Sequence, residues 1–362
     1  MNICESVLDL VGDTPLVRLN NIVEPGMATV LAKMENLNPT GSVKDRMAIN
    51  MVKRAEEEGL LKPGGTLVES TSGNTGLGLA MAAATKGYRC IFTIPDKMSQ
   101  EKIDMLKAYG AEVIVTPTEL DHHHPDSYVE VAKRIARQTS NALYTDQYNN
   151  MSNPEAHYLT TGPEIWEATD GLIDSFVAGL GTGGTISGTG KYLKEKAMAA
   201  GREVRVVGPD PYGSIYHDAF YKGEWEDPGM YRVEGIGHDF MVGTLDFSVI
   251  DDVVNVSDRD SFFMARNLAK HEGIFAGGST GTVFCGALQE ARNLGPGKIV
   301  VAVVCDSGDR YISKTFNDEW MRDMGYFAPP RKLGTVQDIL EFKNHRVILA
   351  DPNDTLQSLS LI

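Results

Sequence analysis

A regular alternation constrains this chain more than any other feature. Short apolar runs at Thr66–Glu69, Cys90–Ile94, Glu112–Thr116, Asp174–Gly179, Val204–Gly208 and Ile299–Val304 recur with longer helical patterns between them. Runs of that length without polar alternation suit strands buried on both faces, the situation of a parallel sheet covered by helices. The intervening patterns supply the covers. In Asp45–Gly59 the residues Met47, Met51, Val52 and Ala55 share one face and Gly59 ends the helix; Val129, Val131 and Ile135 do the same in Ser127–Gln138. The expected fold is α/β, with helices over mainly parallel sheets. At 362 residues the chain exceeds the size at which one core stops growing, so two lobes are expected.

Charge narrows the partners. The chain carries 34 basic and 49 acidic residues, a net charge of −15, which argues against nucleic acid or an anionic membrane surface as partner and favours small molecules. No basic run leads into an apolar stretch at Met1–Gly12, and no uncharged run approaches a bilayer span, so a cytoplasmic protein is expected. Cys4, Cys90, Cys285 and Cys305 are scattered without CxxC spacing and read as small buried hydrophobes. His122, His123 and His124 lie in the polar stretch Pro117–Asp126 and read as a solvated loop; no metal is expected.

Five segments carry candidate chemistry. In Asn38-Pro39-Thr40-Gly41-Ser42-Val43-Lys44-Asp45-Arg46 a lysine sits where a loop enters a helix, and positive potential at a helix start biases an amine towards its neutral, nucleophilic form. By spacing alone an ordinary surface lysine is the favoured reading. Glu69-Ser70-Thr71-Ser72-Gly73-Asn74-Thr75-Gly76 follows a strand and precedes an apolar helix, presenting hydroxyls and N–H groups suited to an anion. Gly179-Leu180-Gly181-Thr182-Gly183-Gly184-Thr185-Ile186-Ser187-Gly188 has the glycines and threonines of a phosphate cradle. Phe275-Ala276-Gly277-Gly278-Ser279-Thr280-Gly281 is another glycine-rich turn before a helix. Glu234-Gly235-Ile236-Gly237-His238-Asp239-Phe240 is a loop with three ionisable groups.

Gly179, Gly181 and Gly184 satisfy GxGxxG literally and Asp210 ends the following strand, so a nicotinamide enzyme must be weighed. That reading leaves the lysine and serine-threonine segments without a task. A Walker A loop fails because Lys191 is followed by Tyr192.

Taken together and in order, these segments resemble the fold-type-II pyridoxal-phosphate enzymes of the cysteine synthase and cystathionine β-synthase family, over roughly residues 5–325. Gly12-Asp13-Thr14-Pro15-Leu16-Val17-Arg18-Leu19 is similar to that family's opening signature, and Gly41-Ser42-Val43-Lys44-Asp45-Arg46 to its Schiff-base motif. The resemblance implies two three-layer α/β subdomains, one about 45–150 and the other from 1–44 with 151–328, and an active site in the cleft between them. It implies pyridoxal 5′-phosphate held by Lys44, with Asn74 on the 3′-oxygen, Gly181, Thr182, Gly183, Gly184 and Thr185 on the phosphate, and Ser279 facing the pyridine nitrogen. Thr71, Ser72, Thr75 and Gln147 would grip a substrate carboxylate, with Tyr148, Gly235 and His238 beside the reacting amino acid.

A serine on the ring nitrogen makes a milder electron sink than a carboxylate, so chemistry at the β-carbon is preferred to transamination. Lys44 would move the Cα proton while a thiol replaces the β-substituent. The loop 233–240 and the longer segment 213–232 are similar to the cystathionine β-synthase branch, which joins L-serine to homocysteine, except for His238 where that branch commonly has Tyr, and Cys305 where proline is usual. O-acetylserine sulfhydrylase, using sulfide, is the alternative; a dehydratase or a non-catalytic binding protein is disfavoured by the Val-Lys-Asp-Arg pattern and by intact Lys44, Asn74 and Ser279. A homodimer is implied.

Beyond the Pro-Pro pair at 329–330, Thr335–Phe342 reads as a helix, Arg346–Ala350 as a strand and Asp351–Asp354 as a turn, similar to the start of a regulatory CBS module broken off at Ile362. No haem-binding extension is expected before the opening signature.

Overall fold

In a computed structural model of the protein, residues 3–327 are described apart from 72, 97, 99, 118, 119 and 121–123. Ser72, His122, His123 and the tail 328–362 thus lie outside the described residues.

The chain opens with β1 (Leu16–Arg18) and β2 (Thr29–Lys33), followed by α1 (Lys44–Glu57). Then β3 (Thr66–Ser70), α2 (Asn74–Lys86), β4 (Arg89–Pro95), α3 (Gln100–Ala108), β5 (Glu112–Thr116), α4 (Tyr128–Gln138) and β6 (Ala142–Tyr144) build a four-stranded sheet in the order β5-β4-β3-β6. All of its pairs are parallel. Two helices joined at Thr160, α5 (Ser152–Leu159) and α6 (Thr161–Ala168), lead back to the first strands. There β7 (Ser175–Val177), α7 (Gly184–Ala199), β8 (Arg205–Pro211), α8 (Tyr216–Lys222), β9 (Asp252–Val256), α9 (Asp258–Asn267), α10 (Gly278–Leu294) and β10 (Ile299–Val303) complete a six-stranded sheet ordered β1-β2-β10-β7-β8-β9. Only the edge pair β1–β2 is antiparallel.

All six expected strands are present, and the α/β expectation holds. Each sheet is covered on both faces. On the six-stranded sheet, Phe176, Ile186, Leu193 and Val206 form one core and Val177, Val207, Phe284 and Val300 the other. On the four-stranded sheet Met47, Met51, Leu77 and Phe92 pack one face, while Val68, Ile91 and Ala132 pack the face under α4. The helix expected over Asp45–Gly59 starts one residue earlier, at Lys44, and its C-cap is Glu58, with Gly59 at φ +70° leaving the helix as only glycine does cheaply.

Among the described residues, those from Ile312 to Phe327 belong to a second compact unit. Its described helix, α11 (Asp318–Asp323), is capped by Asn317, whose Oδ1 accepts from the N–H groups of Glu319 and Trp320 at 2.8 and 3.2 Å. Among the described residues no helix is long and apolar enough to cross a membrane. The cysteines differ from expectation: only Cys90 is buried, Cys285 and Cys305 are half-buried and Cys4 is exposed, and all four are free.

Candidate functional site

Parallel sheets converge their strand-to-helix turns at the carboxyl ends of the strands, and this is where the chemistry-bearing segments gather. Residues 71–75 follow β3, residues 145–148 follow β6, residues 179–185 follow β7, and residues 304–311 follow β10.

Lys44 is the first residue of α1, and its approach is stitched to the end of β10: Val43 N–H donates to the Cys305 carbonyl at 2.9 Å and Ser42 forms a backbone bridge with Asp306. Burial pushes the Lys44 amine below its ordinary value, opposed by the nearby Cys305 and Asp306. The neutral amine expected from the helix start is therefore favoured chiefly by desolvation.

The two charged residues after Lys44 turn away to other partners. Asp45, fully buried, accepts from the Thr40 N–H at 2.7 Å and from its hydroxyl, and burial still lifts its carboxyl to about 6. Arg46 makes two forks: Nε and Nη2 donate to Glu35 at 2.7 and 2.8 Å, and Nη1 and Nη2 donate to Glu164 at 2.6 and 2.7 Å. Lys33 adds bonds to Glu164 at 2.5 Å and to the Thr14 carbonyl at 2.6 Å, and the Thr14 hydroxyl donates to Glu35 at 2.6 Å. Two cations and two carboxylates balance, which is what permits four charges to leave water together. The opening Gly12–Pro15 signature is thus tied through Thr14 to the helix that begins with Lys44.

Asn74 begins α2, half-buried. Its Nδ2 donates to Asp306 Oδ2 at 2.7 Å and its Oδ1 accepts from Arg310 Nη1 at 2.6 Å. Thr71 folds its own turn, accepting at Oγ1 from the N–H groups of Gly73 and Gly76 at 3.0 and 3.3 Å. Thr75 donates to Gln147 Oε1 at 2.7 Å, and Gln147 is held in turn by its Nε2 bond to the Ser70 carbonyl at 2.7 Å. Beneath them Glu69 accepts from Thr145 Oγ1 at 2.6 Å, Ser70 N–H at 2.8 Å and Gln147 N–H at 3.0 Å; burial nonetheless pushes its carboxyl up to about 7. Sequence reasoning missed Glu69 as an organiser, although its place at the end of a strand before Ser-Thr was a signal.

The cradle at 181–185 is shaped by its glycines. Gly183 takes φ +82° as the N-cap of α7, and a Cβ on Gly184 would lie 1.8 Å from Asn153 Oδ1, so backbone must pass where any side chain would collide. Asn153 bridges the Gln147 carbonyl and Thr182 Oγ1 at 2.9 and 3.1 Å, and its own Oδ1 is buried without a partner. Thr185 Oγ1 lies 3.2 Å from His157 Nε2, whose ring burial keeps neutral. Ser279, the second residue of α10, is buried. The backbone N–H groups and neutral hydroxyls at a helix start fit a phosphate, and a desolvated amine fits a covalent anchor; the residues present therefore suit the implied cofactor.

The loop 233–240 is packed rather than free. The His238 ring stands edge-on to Tyr148 (centroids 4.9 Å) and Phe240 (4.3 Å), with Tyr216 at 6.2 Å, and its backbone N–H donates to Ser214 Oγ at 3.1 Å. Tyr148 is buried, its hydroxyl 3.3 Å from that of Tyr128. Gly235 is exposed, but its carbonyl lies 2.8 Å from where a Gly181 Cβ would be. Glu234 forms a buried ion pair with Lys102 at 2.6 Å, and Lys102 lies against Gly73 and over the Tyr311 ring at 4.8 Å. Lys102 gives no motif signal. Asp210, the acidic residue behind the literal GxGxxG match, is buried and accepts the His217 N–H in the first turn of α8 at 3.1 Å, a structural task. Among the described residues no group of three His, Cys, Asp or Glu side chains could hold a metal ion.

The chain is similar to a cystathionine β-synthase of Apis mellifera, 44% identical over 329 residues, 90% of this chain and 64% of that protein; it thus spans less than two thirds of that relative. A cysteine synthase of Staphylococcus aureus is 42% identical over 310 residues, 85% of this chain and 96% of that enzyme. The crystal structure of a hydrogen sulfide-producing enzyme from Fusobacterium nucleatum matches with a TM-score of 0.78 and 37% identity, covering 85% of this chain and 100% of that one. The profile described as "Pyridoxal-phosphate dependent enzyme" matches residues 7–306, and with that span and this fold the chain belongs to that family of enzymes.

Proposed function

We propose that the chain catalyses β-replacement on an amino acid, condensing L-serine with L-homocysteine to L-cystathionine and releasing water, as a cytoplasmic homodimer. The observation that carries this reading is the loop 234–240, in which the acidic Glu234 is paired to Lys102 and His238 packs on Tyr148. Relatives called cystathionine β-synthase at about 44% identity support it. The smaller subdomain is assigned to about 45–150, the larger to 1–44 with 151–328, and 329–362 to a linker and the start of a CBS module.

In this reading Lys44 anchors pyridoxal phosphate, Gly181–Thr185 bind its phosphate, Asn74 its 3′-oxygen and Ser279 its ring nitrogen. When bound, the cofactor supplies an electron sink for the substrate's Cα. Thr71, Ser72, Thr75 and Gln147 orient the substrate through its carboxylate, and the Thr75–Gln147 bond holds two of those groups to one point. Lys44, neutral through burial, takes the Cα proton and later returns it. Ser279 hydrogen-bonds without delivering a proton. Tyr148, Gly235 and His238 wall the thiol side and keep water from it.

Incubation with serine and homocysteine should give cystathionine by mass spectrometry. Absence of cystathionine, with cysteine formed readily from O-acetylserine and sulfide, would overturn the assignment in favour of cysteine synthase, a reading supported by the near-complete coverage of the Staphylococcus aureus enzyme.

A further inference from the structure

Asn74 is bracketed by two charged side chains of opposite sign that the motifs do not include. Asp306 and Arg310 both lie in the segment after β10, both are almost fully buried, and Arg310 Nη1 stands 3.9 Å from Asp306 Oδ2. The carboxylate can only accept and the guanidinium can only donate. The amide therefore has one orientation, nitrogen to Asp306 and oxygen to Arg310, because the flipped amide would set carbonyl against carboxylate and N–H against guanidinium. Neither charged group is loose: Tyr311 OH donates to Asp306 Oδ2 at 2.6 Å, Arg310 Nη2 donates to the Thr40 carbonyl, and Asp306 Oδ1 lies against Gly277, where a Cβ would come within 2.5 Å. A primary amide has two N–H bonds, and one is used on Asp306.

We propose that Asp306 and Arg310 are positioning residues that lock the Asn74 amide so that its remaining N–H, and not its carbonyl, is offered to the cofactor's ring oxygen. This rests on the assignment of Asn74 to that oxygen. A donor stabilises the oxygen in its ionised form, so the lock favours the yellow form of the bound cofactor over the form whose ring oxygen keeps its proton. Either charge alone suffices to orient the amide, so the two contributions are non-additive.

The experiment is a visible spectrum of the cofactor-loaded protein at pH 7 for wild type, Asp306→Asn, Arg310→Gln and the double variant, with circular dichroism as the check on folding. The ratio of the band near ~410 nm to that near ~330 nm reads the two forms. Each single variant should stay close to wild type, and the double variant should lose the ratio about tenfold, the size of one charge-assisted hydrogen bond. A double variant that binds cofactor and keeps the wild-type ratio overturns the lock, as does a single variant that loses as much as the double. Should the double variant not fold, Asp306→Asn combined with Arg310→Met, which likewise leaves no charge to fix the amide, decides the matter: it should lose the ratio about tenfold, and a wild-type ratio overturns the proposal. Asn74→Asp, which keeps the size but cannot donate, checks the assignment of Asn74 to the ring oxygen, and a wild-type ratio there would sink that assignment instead. A wild-type protein that takes up no pyridoxal phosphate would sink the underlying cofactor assignment instead, so the two failures are distinct.

Discussion

Replacing Arg46 with Met tests whether the charge cluster behind Lys44 holds the site together. The substitution keeps much of the side-chain length but removes five hydrogen bonds, both forks to Glu35 and Glu164 and the Nη2 bond to Thr14 Oγ1 at 3.3 Å. Glu35 is fully buried and keeps only the Thr14 hydroxyl and the Asn38 amide, while Glu164 keeps Lys33. Two carboxylates then face one ammonium. Removing one partner of a buried ion pair costs about 3–5 kcal/mol, because the other is left uncompensated. For a folded unit of about 300 residues the unfolding entropy is about 0.6 kcal/mol/K, so the melting temperature should fall by about 6 °C in calorimetry at pH 7. Arg46→Lys, which keeps the charge but not the fork, should fall about half as far.

The same pair sets an acid limit. Burial pushes the Glu164 carboxyl up, but Arg46 and Lys33 outweigh it and hold it at about 2. A depressed carboxyl stabilises the fold above its unfolded value and loses that contribution as pH falls towards its folded one. The gap between wild type and Arg46→Met should therefore narrow from pH 5 to pH 3. A melting temperature lowered by less than about 2 °C, or a gap that widens in acid, would refute the reasoning.

Glu69 should act with the opposite sign. Its carboxyl is raised to about 7, so the stability carried by the protonated form is lost as pH rises from about 4.5 through 7; Glu69→Gln should gain on wild type by up to about 3 kcal/mol between pH 5 and pH 8, and a constant difference in denaturant titrations would count against it. Gly184→Ala forces Asn153 aside and should weaken cofactor binding at least about tenfold, read as the ~410 nm absorbance retained on dialysis; unchanged retention would remove 181–185 from the phosphate site. His238→Ala deletes contacts with Tyr148 and Phe240 worth about 1 kcal/mol each, and should raise the KM for the thiol roughly tenfold while leaving serine affinity intact; equal loss for both substrates would contradict its placement on the thiol side.

The parts of the site legible in the sequence are those built from local backbone. Glycine and hydroxyl residues ahead of a helix announce helix-starting turns, and the structure begins α2 at Asn74 and α7 at Gly184 after the strands β3 and β7, and α10 at Gly278 after a helical stretch that ends at Glu272. The interior strands announce themselves by unbroken apolar runs. The strands β1, β6 and β9 do not: β1 and β9 are partly exposed and mix polar with apolar positions, and β6 is a half-buried run of only three residues. The run Val30-Leu31-Ala32 in β2 is readable but stands before any helical pattern that would mark it as one strand of an alternation. Contacts over long separations leave no local trace. Arg46 meets Glu164 across 118 residues, Lys102 meets Glu234 across 132, and Asn74 meets Asp306 across 232.

The lysine motif shows how these two classes join. Successive residues in a helix point about 100° apart, so Lys44, Asp45 and Arg46 cannot share one direction. Lys44 is half-buried among Cys305 and Asp306, whereas the charges of Asp45 and Arg46 are buried elsewhere. A buried charge persists only with a partner, so the side chains after the lysine demand Thr40, Glu35 and Glu164 at fixed places, and these in turn demand Thr14 and Lys33. The Val-Lys-Asp-Arg pattern specifies an amine beside Cys305 and Asp306 because its charged neighbours leave α1 only one rotation in which all three are satisfied.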